Sequence, residues 1–391
     1  MTTLPLDGVR VLDFTQVEMG PVCTQVLGDF GADVIKIERM DSGDLSRYKT
    51  FEVEGENPIF LSLNRNKRGL AIDLKHPEGQ AIVLGLVDNT DVLVHNFRPE
   101  VMRRLGLGYE QLRERNPRLI YASGSGFGPG GPYQHKGGQD ILAQAMSGMM
   151  MTNAARGGPP HKVNNPIADF TAGMLLVQGI ALALLARTKT GRGQEVTTCL
   201  LDGMIASQLQ EATFWLNTGR TINWGYLPLG NPFPTADGAI AVVGAFRPNP
   251  LRDLCQVLEI EDLSEDPRFA TDAARVEHGE ALKCMLDEAF RRRTSAEWLA
   301  QLEAIDVLCS PINTLEEALQ DPQVLHNGMV IEFEHPHGTV RAVGSPVKLS
   351  ETPATVRHAP PLLGQHNDEI LAQLGYSSQR IAELRHACVV L

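Results

Sequence analysis

Short apolar runs separated by polar turns fill the first 125 residues and predict strands and helices in alternation. Strands are expected at 9–14, 33–38, 91–96 and 118–123, where apolar and β-branched residues cluster. Helical patterns lie between them, from Pro21 to Phe30, from 77 to 87 with Pro77 at the first turn, and near 109–114. This βαβ order predicts an α/β fold with a parallel sheet and helices on both faces.

Polar and glycine-rich segments follow the predicted strands, at the sheet edge where such folds bind ligands. They are residues 15–18, 38–39, 96–98 and 124–128. The first turn lacks the Gly-x-Gly-x-x-Gly pattern and the chain lacks a P-loop, which argues against a dinucleotide or nucleotide site of those types. The glycine-rich segment 124–131 fits either a mobile connection or a functional loop, as a lid over a site or a contact to an oxyanion.

One carboxylate, Asp169, precedes a run without ionisable side chains from Phe170 to Ala186. Aspartate is a favoured helix N-cap, so the simplest interpretation is structural. A poorly solvated acid at a helix start is also a candidate for chemistry. The run is shorter than the ~20 residues that a bilayer requires, so we predict a core helix.

Composition changes after residue 222 and predict a second, smaller domain. Residues 223–236 are rich in Gly and Pro and suggest a linker, 239–243 suggests a strand, and 248–305 is helical and highly charged. Strand-like runs at 331–333 and 340–343 and helices near 368–374 and 378–384 follow. We predict a large domain from 1–222 and 327–391 and a small domain from 223–326.

The charge balance narrows the class of ligand. The net charge of −12 over 391 residues argues against general nucleic-acid binding. Several basic residues nevertheless cluster near the predicted strand ends and suggest a local site for a polyphosphate. They are Lys36, Arg39, Lys67, Arg68, Lys75, Arg98, Arg103 and Arg104. Six scattered cysteines, no metal-ligand spacing and no signal peptide favour a cytoplasmic protein without a metal.

Seven segments in order carry a family resemblance. They are residues 5–14, 31–39, 64–68, 96–99, 166–169, 191–194 and 364–366. Together they resemble the class III coenzyme A transferases of the CaiB/BaiF type, the group of formyl-CoA transferase and carnitine CoA-transferase. The resemblance runs from about residue 5 to 390.

The resemblance implies a Rossmann-like large domain, a small inserted α+β domain and two interlocked subunits. It implies that Asp169 attacks an acyl-CoA thioester and carries first an acyl anhydride and then a CoA thioester. Glu18, Gln139 and Asp140 correspond to neighbouring site positions, and Asp140 remains either a helix cap or a second acid of the site. A carboxylic acid accepts the CoA, and no tightly bound cofactor is expected.

The resemblance also assigns a set of CoA-binding positions. They are Gln16, Val17, Arg39, Leu74, Lys75, Asn96, Phe97, Arg98, Arg104 and Lys136. These positions account for a basic cluster in an acidic protein.

Two departures from the family pattern leave alternatives open. Formyl-CoA transferase has glutamine at the position of Glu18 and a tetraglycine loop that is absent near 225–230, so oxalate as acceptor is in doubt. The related α-methylacyl-CoA racemases place a histidine where this chain has Gln139, and glutamine cannot shuttle a proton at neutral pH. We therefore favour a CoA-transferase over a racemase, and a catalytically silent CoA-binding protein is the third alternative.

Overall fold

The structure is a computed structural model that describes residues 3–48, 55–154, 157–226, 229–244 and 247–391. The chain forms two compact units. The first comprises Met1–Met150, His161–Gln208 and Gln323–Leu391, and the second comprises Met151–Pro160 and Leu209–Pro322.

A six-stranded parallel sheet organises the first unit and confirms the predicted α/β class. Its strands are β1 (Arg10–Asp13), β2 (Asp33–Glu38), β3 (Lys67–Ala71), β4 (Val92–His95), β5 (Ile120–Ser125) and β6 (Glu195–Cys199). Their order is β3-β2-β1-β4-β5-β6, and Leu12 of β1 lies between Ile35 and Leu93. The order reverses between β1 and β4, which creates a crevice at their carboxyl ends.

Helices cover both faces of this sheet. The helices between residues 19 and 206 are, in chain order, α1 (Met19–Asp29), α2 (Pro58–Leu63), α3 (Pro77–Val87), α4 (Pro99–Arg104), α5 (Tyr109–Arg115), α6 (Asp140–Met146), α7 (Met149–Thr152), α8 (Ile167–Thr190) and α9 (Leu200–Ala206), with a 3-10 turn at Leu45–Arg47. One face packs Val11 and Val94 against Leu27 and Ile180. The other packs Leu93 against helix residues such as Leu86.

The long helix α8 differs from its predicted length. It spans 24 residues rather than the 17 of the uncharged run, because the charged ends also adopt helical geometry, and it stops at Gly191 with φ 69°. Within the described residues it is the one helix long and apolar enough to cross a membrane by length and composition, and a third of its most apolar window is buried. That test also selects core helices of soluble proteins, and α8 packs on α1 and β5.

The second unit builds its own core. After α10 (Leu209–Thr218) and a 3-10 turn at Trp224–Tyr226 come β7 (Gly230–Pro234), β8 (Ala239–Val243), α11 (Pro250–Val257), α12 (Asp272–Glu277), α13 (Gly279–Phe290), α14 (Ser295–Ala304), β9 (Leu308–Pro311) and α15 (Leu315–Ala318), with another 3-10 turn at Leu263–Glu265. The strands form an antiparallel sheet in the order β7-β8-β9. Phe233 stacks on Phe290 at 4.6 Å, and the Trp298 indole N–H donates to the Phe290 carbonyl.

The predicted linker at 223–236 is wrong in part. Residues 230–234 form β7 despite two prolines, because β7 is an edge strand that, among the described strands, pairs with β8 alone. Residues 227–228 of that stretch lie outside the described residues.

The C-terminal segment returns to the first unit. It contains α16 (Pro322–His326), the antiparallel pair β10 (Val330–His335) and β11 (Gly338–Val343), α17 (Asn367–Gln373) and α18 (Ser378–His386). Asp73 donates its backbone N–H to the Val389 carbonyl, and the Asn367 side chain accepts from the Ala71 N–H. Both ends of the chain therefore stabilise the sheet that bears the candidate site.

Candidate functional site

The crevice between β1 and β4 is closed by a pair of hydrogen bonds. The Gln16 backbone N–H donates to Asn96 Oδ1 at 2.9 Å, and Asn96 Nδ2 donates to the Gln16 carbonyl at 2.8 Å. Gln16 follows β1 and Asn96 follows β4, so two predicted site residues meet at the switch point of the sheet.

Asp169 is not the cap of its helix. α8 begins at Ile167, which makes Asp169 its third residue, and the residue before the helix is Pro166. The cap comes from Asp140, whose Oδ2 accepts from the backbone N–H groups of Ala168 at 2.6 Å and Asp169 at 3.1 Å. The N-cap prediction for Asp169 is therefore wrong. Because Asp140 supplies the cap, the Asp169 carboxylate is not needed to cap the helix.

Asp140 is the first residue of α6 but serves the start of another helix. Its Oδ1 accepts from Gln144 Nε2 at 2.6 Å, and Gln144 in turn bonds both the N–H and the carbonyl of Val163. Gln139 precedes α6 in an extended conformation and is exposed. Asp140 thus caps a helix, though not the helix that its position in sequence suggested.

Truncating Asp140 separates its capping role from its charge. Asp140→Ala leaves two backbone donors of α8 unpaired, whereas Asp140→Asn keeps an acceptor, and both remove the same negative charge. We expect the alanine variant to be less stable than the asparagine variant by about 1–2 kcal/mol in urea unfolding. Equal stability of the two variants would show that the cap contributes nothing.

Two carboxylates converge where α1 and α8 cross. A Cβ added at Gly173, one turn beyond Asp169, would lie 2.5 Å from the Met19 carbonyl oxygen, so the two helices touch there. Glu18 stands immediately before α1 and Asp169 in the first turn of α8. Across the described residues, no side chain donates a hydrogen bond to either carboxylate.

Their surroundings make both acids weak. Burial and repulsion from Asp140 raise the pKa of Asp169 to about 6. Burial, followed by repulsion from Asp169 and Asp140, raises the pKa of Glu18 to about 7. Since Asp169 ionises first, the second ionisation, that of Glu18, carries the cost of their mutual repulsion. Perturbed acids in a cleft are typical of functional sites.

Asp169 lines a cleft of about 470 Å³ together with predicted ligand-binding residues. Those residues are Asn96, Phe97, Arg98, Arg104 and Lys136. Ser125 and Phe127 also line it, as expected for the predicted strand-end segment 124–128. Sequence reasoning missed other lining residues, namely Met19, Val101, Tyr133, Gln134 and Leu200. The adjacent glycine-rich segment was the available signal for Tyr133 and Gln134.

The glycine-rich segment forms one wall of this cleft. A Cβ at either Gly126 or Gly138 would lie 2.3 Å from the Cα of the other. The backbones at the two ends of the 127–137 loop are therefore in close contact. Lys136 Nζ lies 4.1 Å from the centroid of the Tyr133 ring, and Phe127 meets the same ring edge-on. The segment is therefore a compact loop with joined ends.

Other predicted ligand residues do not line the cleft. Arg39 and Lys75 are exposed beyond the ends of β2 and β3, and Leu74 packs against the sheet core. Gln16, Val17 and Glu18 lie in the turn between β1 and α1 and do not line the cleft either.

The prediction that Lys36, Lys67 and Arg68 belong to an anion-binding cluster is wrong. Lys36 and Lys67 are fully buried and paired with Asp44 at 2.8 Å and Asp13 at 3.0 Å. Arg68 pairs with Asp33 and Glu369. Sequence cannot distinguish a buried, neutralised lysine from an exposed one at a strand end.

A second cavity of about 400 Å³ adjoins the cleft and shares Phe97, Ser125 and Gln134 with it. Its other walls include His95, Arg103, Tyr109 and Glu195. Burial lowers the pKa of His95 to about 4, so this side chain is neutral. Over the described ranges, no group of three or more His, Cys, Asp or Glu side chains is placed to hold a metal ion.

Comparisons with known proteins agree with one another. The model for CoA-transferase family III matches residues 6–367. Formyl-CoA:oxalate CoA-transferase from Rhodopseudomonas palustris (strain BisA53) is 36% identical, covering 98% of this chain and 96% of the relative. Succinyl-CoA:glutarate CoA-transferase from Homo sapiens is 35% identical, covering 99% and 90%. The crystal structure of a CAIB/BAIF family protein from Brucella suis matches with a TM-score of 0.85 and 33% identity, covering 96% and 100%.

Proposed function

The chain belongs to CoA-transferase family III, and from that premise we propose that it moves coenzyme A from an acyl-CoA to a carboxylic acid, with Asp169 as covalent nucleophile. The observation that carries the proposal is the Asp169 carboxylate. It lies in the cleft without a hydrogen-bond donor in the described part of the chain, because Asp140 caps the helix in its place.

The proposed reaction splits the transfer into acyl exchanges on one side chain. An Asp169 oxygen attacks the thioester carbonyl carbon, the C–S bond breaks, and a mixed anhydride and CoA thiolate form. The thiolate attacks the Asp169 carbonyl and releases the donor acid, leaving an aspartyl-CoA thioester. The acceptor carboxylate attacks that thioester, forms a second anhydride and frees the thiolate. Thiolate attack on the acceptor carbonyl then regenerates Asp169 and yields the new acyl-CoA.

Glu18 is proposed to act as a protonated donor beside Asp169. Its raised pKa keeps a large neutral fraction at pH 7, and a neutral carboxyl group donates a hydrogen bond to an oxyanion as an amide does. This role reconciles Glu18 with the glutamine that formyl-CoA transferase has at this position. Gln139, which cannot act as a base, supports transfer over α-proton exchange.

Trapping the intermediates tests the proposal. The protein is mixed with formyl-, acetyl- or succinyl-CoA and quenched with hydroxylamine, which converts an anhydride or thioester at Asp169 to a hydroxamate visible by peptide mass spectrometry. Turnover without an Asp169 adduct contradicts the mechanism. α-Deuterium incorporation into a 2-methylacyl-CoA in deuterated water, without any acceptor, would favour the racemase alternative.

Arg98, Arg104 and Lys136 are proposed to hold CoA phosphates within the cleft, with Asn96 and Phe97 along the pantetheine arm. Gln16, Val17, Arg39, Leu74 and Lys75 complete the proposed contacts outside it. Among the described residues, none of these cations forms an ion pair with a buried carboxylate, whereas Lys36 and Lys67 do.

Loss of one phosphate-binding cation is expected to weaken substrate binding. Arg104→Ala or Lys136→Ala should raise KM for the acyl-CoA about 10–100-fold, because a hydrogen bond to a charged group contributes about 1.5–3 kcal/mol. Arg103→Ala is the matched control, since Arg103 lines the second cavity instead. Steady-state kinetics with an acyl-pantetheine, which lacks the phosphates, should show no difference, and a persisting difference would contradict phosphate binding.

A homodimer with interlocked chains is the proposed assembly. α8 exposes Phe170, Leu182 and Leu185, the last two by 58% each, and α6 exposes Ile141 and Leu142. Such apolar surface is typical of an interface with a second copy.

The six free thiols support a reducing cytoplasmic compartment. The reaction needs no tightly bound cofactor, because Asp169 and the substrates supply every reacting atom.

Charges on the exposed face of α8 test the assembly. Leu182→Glu/Leu185→Glu is expected to abolish the dimer and lower the thermal midpoint together, since interlocked chains cannot separate while folded. Leu315→Glu, at an exposed leucine of the second unit, is the control. Light scattering coupled to size exclusion measures the mass, and a monomeric wild type at micromolar concentration would contradict the proposal.

A further inference from the structure

The turn between β1 and α1 contains a backbone conformation that its sequence disfavours. Val17 has φ 66°, in the left-handed region, where a β-branched residue is rare because its side chain crowds the backbone. Its side chain is 44% exposed and belongs to none of the hydrophobic clusters of the described residues, so core packing does not account for this conformation. Surrounding groups must therefore hold the backbone in place.

Two buried side chains, Asp44 and Lys36, bind the backbone of this turn. The Val17 backbone N–H donates to Asp44 Oδ1 at 3.0 Å. Asp44 Oδ2 pairs with Lys36 Nζ at 2.8 Å, and both side chains are fully buried. Lys36 Nζ also donates to the Thr15 carbonyl at 2.9 Å. The ion pair therefore hydrogen-bonds to the backbone of both neighbours of Gln16, Thr15 and Val17.

The ion pair is itself rigidly supported. The Asp44 backbone N–H donates to Glu38 Oε1, and Glu38 pairs with Arg47. Burial by itself would raise the pKa of Asp44, but Lys36 and backbone N–H donors hold the pKa well below its usual range, so Asp44 is ionised. A buried ion pair is often no more stabilising than well-packed apolar side chains, which favours a geometric role for this one.

We propose that Asp44 and Lys36 are positioning residues for the reaction at Asp169. They fix Val17 in its left-handed conformation and so direct Glu18, at the start of α1, toward Asp169 at the crossing with α8. The inference rests on the proposed function, because the reaction that benefits is acylation of Asp169.

Asp44→Asn tests the inference against a matched buried pair. Asp29→Asn is the control, because Asp29 pairs with Arg65 at 2.6 Å, is equally buried and lies at the opposite end of α1. The assay is single-turnover acylation of Asp169 by whichever of formyl-, acetyl- and succinyl-CoA acylates the wild type fastest. Per folded molecule, we expect Asp44→Asn to react about 10–100-fold more slowly, with the half-saturating acyl-CoA concentration changed less than threefold. Asp29→Asn should react within twofold of the wild-type rate.

Relief of backbone strain supplies a second readout. Glycine adopts positive φ without a steric cost, so adding Val17→Gly to Asp44→Asn should restore several-fold of the lost rate. If Asp44→Asn does not fold, Lys36→Met/Asp44→Leu replaces the pair by apolar side chains and should show the same slow acylation. Wild-type acylation rates in a folded Asp44 variant would overturn the inference, while the proposed function would stand.

A substrate-free measurement separates the two proposals. Carboxyl ¹³C NMR titration of Glu18 reports its proximity to Asp169 without any reaction. We expect the midpoint to fall by about one pH unit in Asp44→Asn and to stay unchanged in Asp29→Asn, because a reoriented Glu18 regains solvent and loses repulsion. An unchanged midpoint in Asp44→Asn overturns the positioning role. Absent wild-type acylation beside a shifted midpoint overturns the proposed function and leaves only the geometric part of the inference, the orientation of Glu18 by Asp44 and Lys36.

Discussion

Asp169→Asn is expected to lower CoA transfer by at least about 10⁴-fold, the scale of removing a covalent nucleophile. The amide is close in size and leaves the Asp140 cap intact, since that cap binds backbone N–H groups. Transfer is measured as appearance of the new acyl-CoA by mass spectrometry. A variant that retains a tenth of the activity would exclude covalent catalysis by Asp169.

The same variant should be more stable than the wild type, which excludes misfolding as the cause of its inactivity. The folded-state pKa of Asp169, about 6, lies above its ordinary value of 3.8, so ionisation opposes folding. This penalty is absent below pH 3.8, grows as the pH rises and is complete above pH 6. Allowing for partial exposure of the side chain, we expect a gain of about 1–2 kcal/mol at pH 8, where one pKa unit is about 1.4 kcal/mol. Urea unfolding at pH 8 and pH 4 measures it, and a gain that persists at pH 4 contradicts the cause given.

Strands with apolar runs were predictable, and strands with polar sequences were not. β2 was predictable because its sequence carries the β-branched residues Val34, Ile35 and Ile37, all of them buried in the structure. β3, which begins Lys67-Arg68-Gly69, was not predicted, because the ion pair of Lys67 with Asp13 that permits its burial joins residues 54 positions apart. β6 was missed because its edge position leaves Glu195 and Thr197 exposed.

The candidate site likewise has a part that the sequence predicted and a part that it did not. The residues at the carboxyl ends of β1 and β4 were predictable, because parallel topology alone brings them together. The role of Asp140 was not, because a cap provided 28 residues away in sequence leaves no local pattern. The conformation of Val17 was equally unpredictable, since its N–H donates to the side chain of Asp44, 27 positions away, which is itself paired with a buried lysine.

The alkaline side of the pH–rate profile should depend on Glu18. If transfer needs ionised Asp169 and protonated Glu18, the rate rises through pH 6 and falls through pH 7, the two pKa values of the pair. Below pH 6 the nucleophile is lost to protonation. Above pH 7 the hydrogen-bond donor is lost, and a second negative charge faces the incoming carboxylate.

Glu18→Gln is therefore expected to remove the alkaline limb and keep the acidic one. An amide donates at every pH, so at pH 8, where a group of pKa 7 is roughly nine-tenths ionised, the variant should turn over about tenfold faster than the wild type. Glu195→Gln is the control, because the pKa of Glu195 is also raised by burial but its carboxyl group lines the second cavity. The measurement is kcat/KM between pH 5 and 9. An alkaline limb that survives in Glu18→Gln would assign that limb to another group, and a variant slower than wild type at pH 8 would show that transfer requires the Glu18 carboxylate rather than its proton.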